Sequence, residues 1–171
     1  MGRLGNEGLV TNAQKRPLKK RKRNVQDGIK SADLDFYLSN SPSYLGTASF
    51  KSFKGLKIKL SKFSIVFLCR NHWIVFYCTS TSFEIFDPLG FLSIKKCLPE
   101  SILSFINLHC TMKNIRASHQ VQSRTSKLCG LFSIYYILLR DNGYSFKDIM
   151  NTFSLNLRKN DKLMLKFINK L

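Results

Sequence analysis

The chain has 171 residues, enough for one folded domain with a short appendage. With 28 Lys and Arg against 10 Asp and Glu, its formal charge is +18. Its hydrophobic share of 44% is too high for a disordered chain. The apolar run 131–139 is too short to span a membrane and the N-terminal residues lack an apolar signal region, so we expect an intracellular protein.

The five cysteines form no Cys-x-x-Cys pair and have no closely spaced pair of histidines. An odd count with these gaps fits neither a zinc site nor a disulfide scaffold. We therefore expect reduced thiols and no metal or small-molecule cofactor. Most of these thiols should be buried as small hydrophobic groups, and one is a candidate for chemistry.

Residues 1–30 are the most basic part of the chain. They carry nine Lys and Arg and two acidic residues, a net of +7, which leaves +11 for 31–171. The run 15–23 has no apolar periodicity and predicts solvated coil. Such a block is typical of a nuclear import signal or a nucleic-acid-binding arm, although a solubilising tail has the same composition. We predict a disordered basic arm over 1–30 and a folded domain over 31–171.

The folded region opens with a helix and continues as strands. Ser31 has the position of a cap for a short helix. The alternation of apolar residues and lysines over 56–60 predicts a half-exposed strand. Three strand-like runs follow at 63–69, 73–78 and 82–87, and the short polar breaks between them suit antiparallel hairpins.

The second half of the chain is mainly helical. Pro99 opens one predicted helix, and a strongly apolar helix covers 129–139. Ser145 and Asp148 have the spacing of a capping box, and Asn160 is a candidate cap for the last helix. Strands followed by helices predict an α+β fold, with a small antiparallel-dominated sheet flanked by helices.

His72 and Asp87 stand at neighbouring strand ends. His72 directly precedes the 73–78 strand, and Asp87 closes the next strand before Pro88. An antiparallel hairpin brings these ends together, so the carboxylate can orient the imidazole and stabilise its cation. Taken separately, such a histidine is more often a structural hydrogen-bonding group, and such an aspartate a turn residue.

Cys129 is the candidate nucleophile because it opens the most apolar helix. The positive end of the helix dipole favours a thiolate, and a nearby imidazolium favours it further. Gly130 beside it leaves room for a substrate backbone. Gln122, seven residues earlier in a polar loop, is a candidate side-chain donor to a developing oxyanion.

Short motifs in a fixed order carry a family resemblance. They are His72-Trp73, the 86–90 run Phe-Asp-Pro-Leu-Gly, Gln122, and the 129–132 run Cys-Gly-Leu-Phe. This set resembles the adenain family, the adenovirus-type cysteine endopeptidases, with similar enzymes in adintoviruses and Polinton (Maverick) elements. The run 44–47, Tyr-Leu-Gly-Thr, matches as well, so the resemblance covers roughly residues 31–140.

The resemblance implies a papain-like, Ulp1-like protease core with its nucleophile at a helix N-terminus. It makes Cys129 the nucleophile, His72 the general base and later acid, and Asp87 the orienting acid. It also makes Gln122 an oxyanion donor beside the backbone N–H of Cys129. The adenovirus enzyme has Glu where this chain has Asp87, whereas Ulp1-type SUMO proteases use Asp. Glu84 competes for this role but should face the other side of its strand.

The resemblance also implies substrates and activators. Family members cleave viral capsid or core precursors near glycine, in a narrow slot that Trp73 would wall here. The adenovirus enzyme is stimulated by DNA and by a short basic viral peptide, and Cys110 lies near the position of the family's peptide-linked cysteine. We therefore expect a DNA-associated monomer in the host nucleus and the virion. The candidate cations for DNA are Lys95, Lys96, Lys113, Arg116, Arg124 and Lys127.

Two other interpretations stay open. A Ulp1-type peptidase for SUMO- or ubiquitin-like tails would use the same site, but the chain is short for the docking surface that such substrates need. A non-enzymatic nucleic-acid-binding protein would account for the basic arm and the net charge. It would not account for His72, Asp87, Gln122 and Cys129 in this order.

Overall fold

The computed structural model describes residues 28–55, 57–91, 98–110 and 114–171. The strands in this part of the chain are β1 (Tyr44–Ser49), β2 (Phe63–Cys69), β3 (His72–Cys78), β4 (Ser82–Phe86) and β5 (Asn114–Ala117). The helices are α1 (Ser31–Leu38), α2 (Glu100–Cys110), α3 (Cys129–Asp141), α4 (Phe146–Asn151) and α5 (Leu157–Ile168). The fold is therefore α+β, as predicted, with a five-stranded mixed sheet flanked by helices.

The middle of the sheet is the predicted antiparallel meander. β2 pairs with β3, with Cys69 opposite His72 across a tight turn. β3 pairs in turn with β4, with Val75 opposite Phe86. Nearly every side chain of these strands is buried, because apolar layers cover both faces of the sheet.

The outer strands differ from the prediction. β1 lies parallel to β2 and β5 parallel to β4, so the sheet has two parallel and two antiparallel pairings instead of an antiparallel majority. Neither outer strand alternates buried with exposed side chains, the pattern that identifies a strand in a sequence. The predicted strand over 56–60 is wrong for its described residues: 57–60 are irregular, and Leu60 is 56% exposed.

Each face of the sheet has its own apolar core. α3 lies against β3, and α1, α4 and α5 pack around α3. On this side Leu131, Ile134 and Ile137 are fully buried, and each stabilises the fold by about 2 kcal/mol relative to an exposed position. On the other side α2 buries Ile102 and Phe105 among phenylalanines of the sheet. No helix in the described ranges is long and apolar enough to cross a membrane.

The predicted helix cap is right at α4 and wrong at α1 and α5. At α1 the N-cap position is held by Lys30, and Ser31 is the first helical residue. Ser145 caps α4: its hydroxyl accepts the Asp148 N–H at 3.1 Å, and the Asp148 carboxylate accepts the Ser145 N–H at 3.1 Å. At α5 the cap is Asn156, while Asn160 lies inside the helix and is 2% exposed. Asparagine has a low helix propensity, so helix formation does not explain Asn160 at this position, and its side chain must have another role.

Three chain segments meet at one end of the sheet. β3 begins at His72, β4 ends one residue before Asp87, and α3 begins at Cys129. β3 and β4 are antiparallel, and α3 packs on β3. The register of two strands and the start of one helix therefore assemble the predicted site.

Candidate active site

His72 and Asp87 are joined by a short hydrogen bond. The start of β3 and the end of β4 lie at the same edge of the sheet, because Val75 pairs with Phe86. There the His72 Nε2 lies 2.6 Å from the Asp87 Oδ1. The His72 side chain is 15% exposed and that of Asp87 is fully buried. The structure thus brings together the two side chains that the hairpin argument pairs.

Asp87 is fixed through its backbone as well as its side chain. Its Oδ1 also accepts the Leu89 N–H at 2.8 Å across the turn. The Ser118 hydroxyl accepts the Asp87 N–H and donates to the Asp87 carbonyl, both at 2.8 Å. The Asp87 Oδ2 is buried and has no hydrogen-bond partner among the described residues. Ser118 is missed by sequence reasoning, because nothing in the sequence distinguishes it from the other serines.

The surroundings of His72 favour its protonated form. Burial of the imidazole lowers its pKa, but hydrogen bonds to Asp87 and Cys129 and the charges of both groups raise it. The net result is a pKa of about 9 instead of 6.5, so the ring is an imidazolium at neutral pH. Because Asp87 engages Nε2, Nδ1 is the ring nitrogen that remains for the Cys129 thiol.

Cys129 is the first residue of α3, as predicted, and carries a free thiol. The residue is 7% exposed. Leu128 stands at the N-cap position and offers no side-chain cap to the first turn of the helix. The site therefore combines a thiol, an imidazolium and an orienting carboxylate.

Gln122 lies in the 120–126 loop, which leads into α3, and is 1% exposed. Its Nε2 donates to the Ser126 carbonyl at 2.7 Å. This bond uses one of the two amide hydrogens and leaves the other for a ligand. The backbone N–H groups of Val121 and Gln122 both donate to the Pro88 carbonyl at 2.9 Å. The loop that carries the candidate oxyanion donor is thus tied to the turn that carries Asp87.

Trp73 and Ile29 pack together beside His72 and Gly130. Sequence reasoning does not identify Ile29. The Trp73 indole N–H donates to the Ile29 carbonyl at 2.8 Å. A Cβ at Gly130 would lie 2.8 Å from the Ile29 Cβ and 3.3 Å from the Trp73 Cδ1. Gly130 therefore leaves room for Ile29, while the approach of a substrate backbone at this position stays a prediction. Ile29, which lies within the predicted basic arm, contacts the folded domain beside Cys129.

Glu84, the competing acid, belongs to a different cluster. Its carboxylate accepts the Tyr136 hydroxyl at 2.5 Å, and the Arg140 Nε and Nη2 at 2.8 and 3.2 Å. The Ser82 hydroxyl donates to it at 3.1 Å. These bonds tie β4 to α3, and they favour Asp87 over Glu84 as the acid that serves His72.

Other predicted residues lie at the border of the described ranges or outside them. Cys110 ends α2, but its side chain is not among the described ones, and the run 15–23 lies outside as well. The candidate DNA-binding cations outside the described residues are Lys95, Lys96 and Lys113. The remaining three, all exposed, are Arg116, Arg124 and Lys127.

Across the described ranges, no group of three or more His, Cys, Asp or Glu side chains could hold a metal ion.

Comparison with known proteins adds evidence for the fold. No protein-family profile and no curated protein sequence match the chain. Among solved structures, it is similar to the central domain of the uncharacterized Lpg1148 protein from Legionella pneumophila, with a TM-score of 0.54 and 16% identity. The similarity covers 84% of this chain and 96% of that one. At this identity it supports the fold alone.

Proposed function

We propose that the chain is an adenain-like cysteine endopeptidase with a papain-like, Ulp1-like core. The observation that carries the proposal is the 2.6 Å contact between the His72 Nε2 and the Asp87 Oδ1, at the start of the strand against which the helix opened by Cys129 packs. A thiol at a helix N-terminus, an imidazolium and an orienting carboxylate together make an activated nucleophile. The ordered sequence motifs support the adenain branch.

The proposed reaction has two displacement steps at the scissile carbonyl. The Cys129 thiolate attacks the carbon, and the electron pair of the C=O bond moves to the oxygen, which the Cys129 N–H and the Gln122 amide stabilise. As the C–N bond breaks, His72 gives its proton to the leaving amine, and a thioester remains. Neutral His72 then takes a proton from water, whose oxygen attacks the thioester and expels the thiolate. Asp87 keeps its hydrogen bond to the His72 Nε2 and holds the ring in place.

The proposed substrates are precursor capsid or core proteins of a virus or virus-derived element, cut near glycine. Trp73 and Ile29 pack tightly over Gly130, directly beside the nucleophile. A wall this close to the thiol supports cleavage at a small residue, because glycine has no Cβ to be accommodated.

We further propose DNA and a short basic viral peptide as activators. Exposed Arg116, Arg124 and Lys127, together with the net charge of +11 over 31–171, support contact with a polyanion. For the peptide, β5 is the edge strand of the sheet formed by the described residues and is exposed along its whole length, so an extended segment can add to it.

The proposed places of action are the host nucleus and the virion. The basic run 15–23 supports nuclear import. Deleting this run should abolish nuclear accumulation of a fluorescent fusion protein. Unchanged accumulation would contradict the assignment.

One observation favours a second candidate, a Ulp1-type peptidase for SUMO- or ubiquitin-like tails. The orienting acid is Asp87, which is the residue type of that branch, where the adenovirus enzyme has Glu. The two candidates differ in substrate and not in chemistry, so they are separated by supplying glycine-containing peptides and SUMO or ubiquitin conjugates side by side.

The proposal is tested by hydrolysis of fluorogenic glycine-containing peptides and conjugates, with and without DNA. We expect Cys129→Ala to abolish hydrolysis and Cys69→Ala, a matched change at another buried cysteine, to retain it. Iodoacetamide should alkylate Cys129 before Cys69 and Cys78, as located by mass spectrometry. If wild type never exceeds Cys129→Ala and Cys129 is alkylated no faster than Cys69, the chain is not a cysteine peptidase. Unchanged DNA binding by Cys129→Ala would then support the nucleic-acid-binding interpretation.

A further inference from the structure

The side chain of Gln122 is buried, and it makes a single hydrogen bond within the described residues. Its Nε2 donates to the Ser126 carbonyl at 2.7 Å, while its Oε1 is buried with no hydrogen-bond partner among the described residues. The position of this amide therefore depends on where the backbone of the 120–126 loop is held. A displacement of about 1 Å in a catalytic group can cost roughly 100-fold in rate, so whatever holds this loop matters for the chemistry.

Two consecutive residues of α5 hold the loop on either side of Gln122. The Asn160 Nδ2 donates to the carbonyl of Val121 at 2.9 Å. The Ser123 hydroxyl donates to the Asp161 Oδ2 at 2.5 Å. The residue before Gln122 and the residue after it are thus both bound by α5.

Neither α5 residue is explained by helix formation or apolar packing. Asn160 is 2% exposed, and its amide also bonds the backbone N–H and carbonyl of Ser154, both at 2.8 Å. The Asp161 Oδ1 is buried without a hydrogen-bond partner in the described ranges. Buried polar groups in a helix interior lower stability unless their bonds compensate for the lost solvation. Here one bond of Asn160 and the bond of Asp161 go to the loop that carries Gln122.

We propose that Asn160 and Asp161 are positioning residues, which act through Val121 and Ser123 to hold the Gln122 amide at the oxyanion position. The inference rests on the proposed peptidase function, and it assigns α5 a part in that reaction. Loss of one oxyanion donor costs about 100- to 1000-fold in kcat. Removing one of the two α5 contacts leaves the other contact and the Pro88 carbonyl in place, so we expect a loss of roughly 10-fold.

The experiment compares Asp161→Ala and Ser123→Ala with wild type in the full chain, using two reactions of the same thiol. A peptide aldehyde ending in glycinal forms a hemithioacetal with Cys129. The S–C bond forms as the C=O π bond opens, and the oxygen that receives the electron pair requires the oxyanion donors until it takes a proton from His72. Iodoacetamide alkylates Cys129 by displacing iodide and requires no such donor. We expect the aldehyde affinity and kcat to fall roughly 10-fold while the alkylation rate stays within about 2-fold.

A double-mutant cycle with Gln122→Ala identifies the route of the effect. If Asp161 acts through Gln122, Asp161→Ala should have no further effect on kcat in the Gln122→Ala background. Lys162→Ala, an exposed neighbour on α5, is the matched control and should behave as wild type. Thermal unfolding of every variant excludes a general loss of folding.

The outcomes separate this inference from the function on which it rests. If wild type lacks hydrolysis that depends on Cys129, the peptidase proposal fails and this inference fails with it. If hydrolysis is present but Asp161→Ala equals wild type, only the inference is overturned. The same holds if alkylation falls along with kcat, or if the loss persists in full without Gln122, because α5 would then act on the fold and not on the amide.

Discussion

Two buried carboxylates at β4 have opposite surroundings. Glu84, within the strand, accepts hydrogen bonds from Tyr136 and twice from Arg140 of α3. Asp87, one residue beyond the strand, accepts through Oδ1 alone, and its Oδ2 has no partner within the described ranges. Glu84 has the surroundings of a group that stabilises the fold. Asp87, with unused acceptor capacity beside an imidazole, is suited to chemistry.

The difference gives a physical criterion for telling a structural acid from a functional one. An unpaired buried polar atom costs about 1–3 kcal/mol, so a fold keeps one only where the rest of the structure compensates. Around Asp87 the compensation is visible, because Ser118 binds both its backbone N–H and its carbonyl. Local departures from full hydrogen bonding are expected at functional sites.

Of the changes that compare the two acids, Asp87→Asn should have the largest effect on activity. The amide keeps the size of the side chain but removes the charge that stabilises the imidazolium of His72. We expect kcat for peptide hydrolysis to fall roughly 100- to 10,000-fold, by analogy with the loss of the orienting acid in catalytic triads. The free energy of unfolding, measured with urea, should change by only about 1 kcal/mol. Loss of stability with unchanged kcat would reverse the assignment of roles.

Glu84→Gln should show the opposite pattern. Without the carboxylate, Arg140, whose side chain is 13% exposed, is left as an uncompensated charge in a largely buried position. We expect the free energy of unfolding to fall by about 3 kcal/mol. The kcat of the remaining folded protein should stay within about 2-fold, since the bonds of Glu84 go to α3 and not to His72. A loss of kcat as deep as that of Asp87→Asn would remove the distinction between the two acids.

Features that depend on local pattern could be predicted from the sequence. The apolar run 63–69 and the Ser145 cap carry their own signals and form as predicted. β1 and β5 could not be predicted, because each becomes a strand through a parallel partner distant in the chain. The alternating run 56–60 carries a strand signal, yet 57–60 form no strand.

The site residues also fall into those that local sequence pattern predicts and those that it does not. His72, Asp87 and Cys129 stand at the ends of elements that local pattern predicts, and the pairing and packing of those elements bring them together. Ile29 and Asn160 act only through tertiary contacts that leave no local pattern. Asn160 even has the residue type of a helix cap, while its side chain binds the 120–126 loop from inside α5.

The pH dependence of hydrolysis should distinguish the two acids again. The pKa of His72 is raised from 6.5 to about 9, so the proton that it gives to the leaving amine is lost as the pH rises through 9. We expect kcat/KM to fall above that pH. The stabilising effect of the His72–Asp87 pair should be complete below pH 6.5 and lost as the pH rises to about 9.

The decrease of kcat/KM at high pH is the alkaline limb of the profile. Asp87→Asn should move this limb to lower pH, because the hydrogen bond and the charge of Asp87 both raise the pKa of His72. Glu84→Gln should leave the limb in place. The measurement is kcat/KM from pH 6 to 10 in a constant-ionic-strength buffer. An unmoved limb in Asp87→Asn would show that the carboxylate does not control the charge of His72.

The smallest expected effects come from two serines, one for each acid. The Ser118 hydroxyl bonds the backbone N–H and carbonyl of Asp87, and the Ser82 hydroxyl donates to Glu84 at 3.1 Å. Both serines are 5% exposed, so they form a matched pair. Replacing either by alanine should lower the free energy of unfolding by about 1 kcal/mol. Ser118→Ala should also lower kcat roughly 10-fold, because it frees the backbone that aims Asp87 at His72. Ser82→Ala should leave kcat unchanged, and equal effects of the two changes on kcat would mean that Asp87 is positioned by its turn alone.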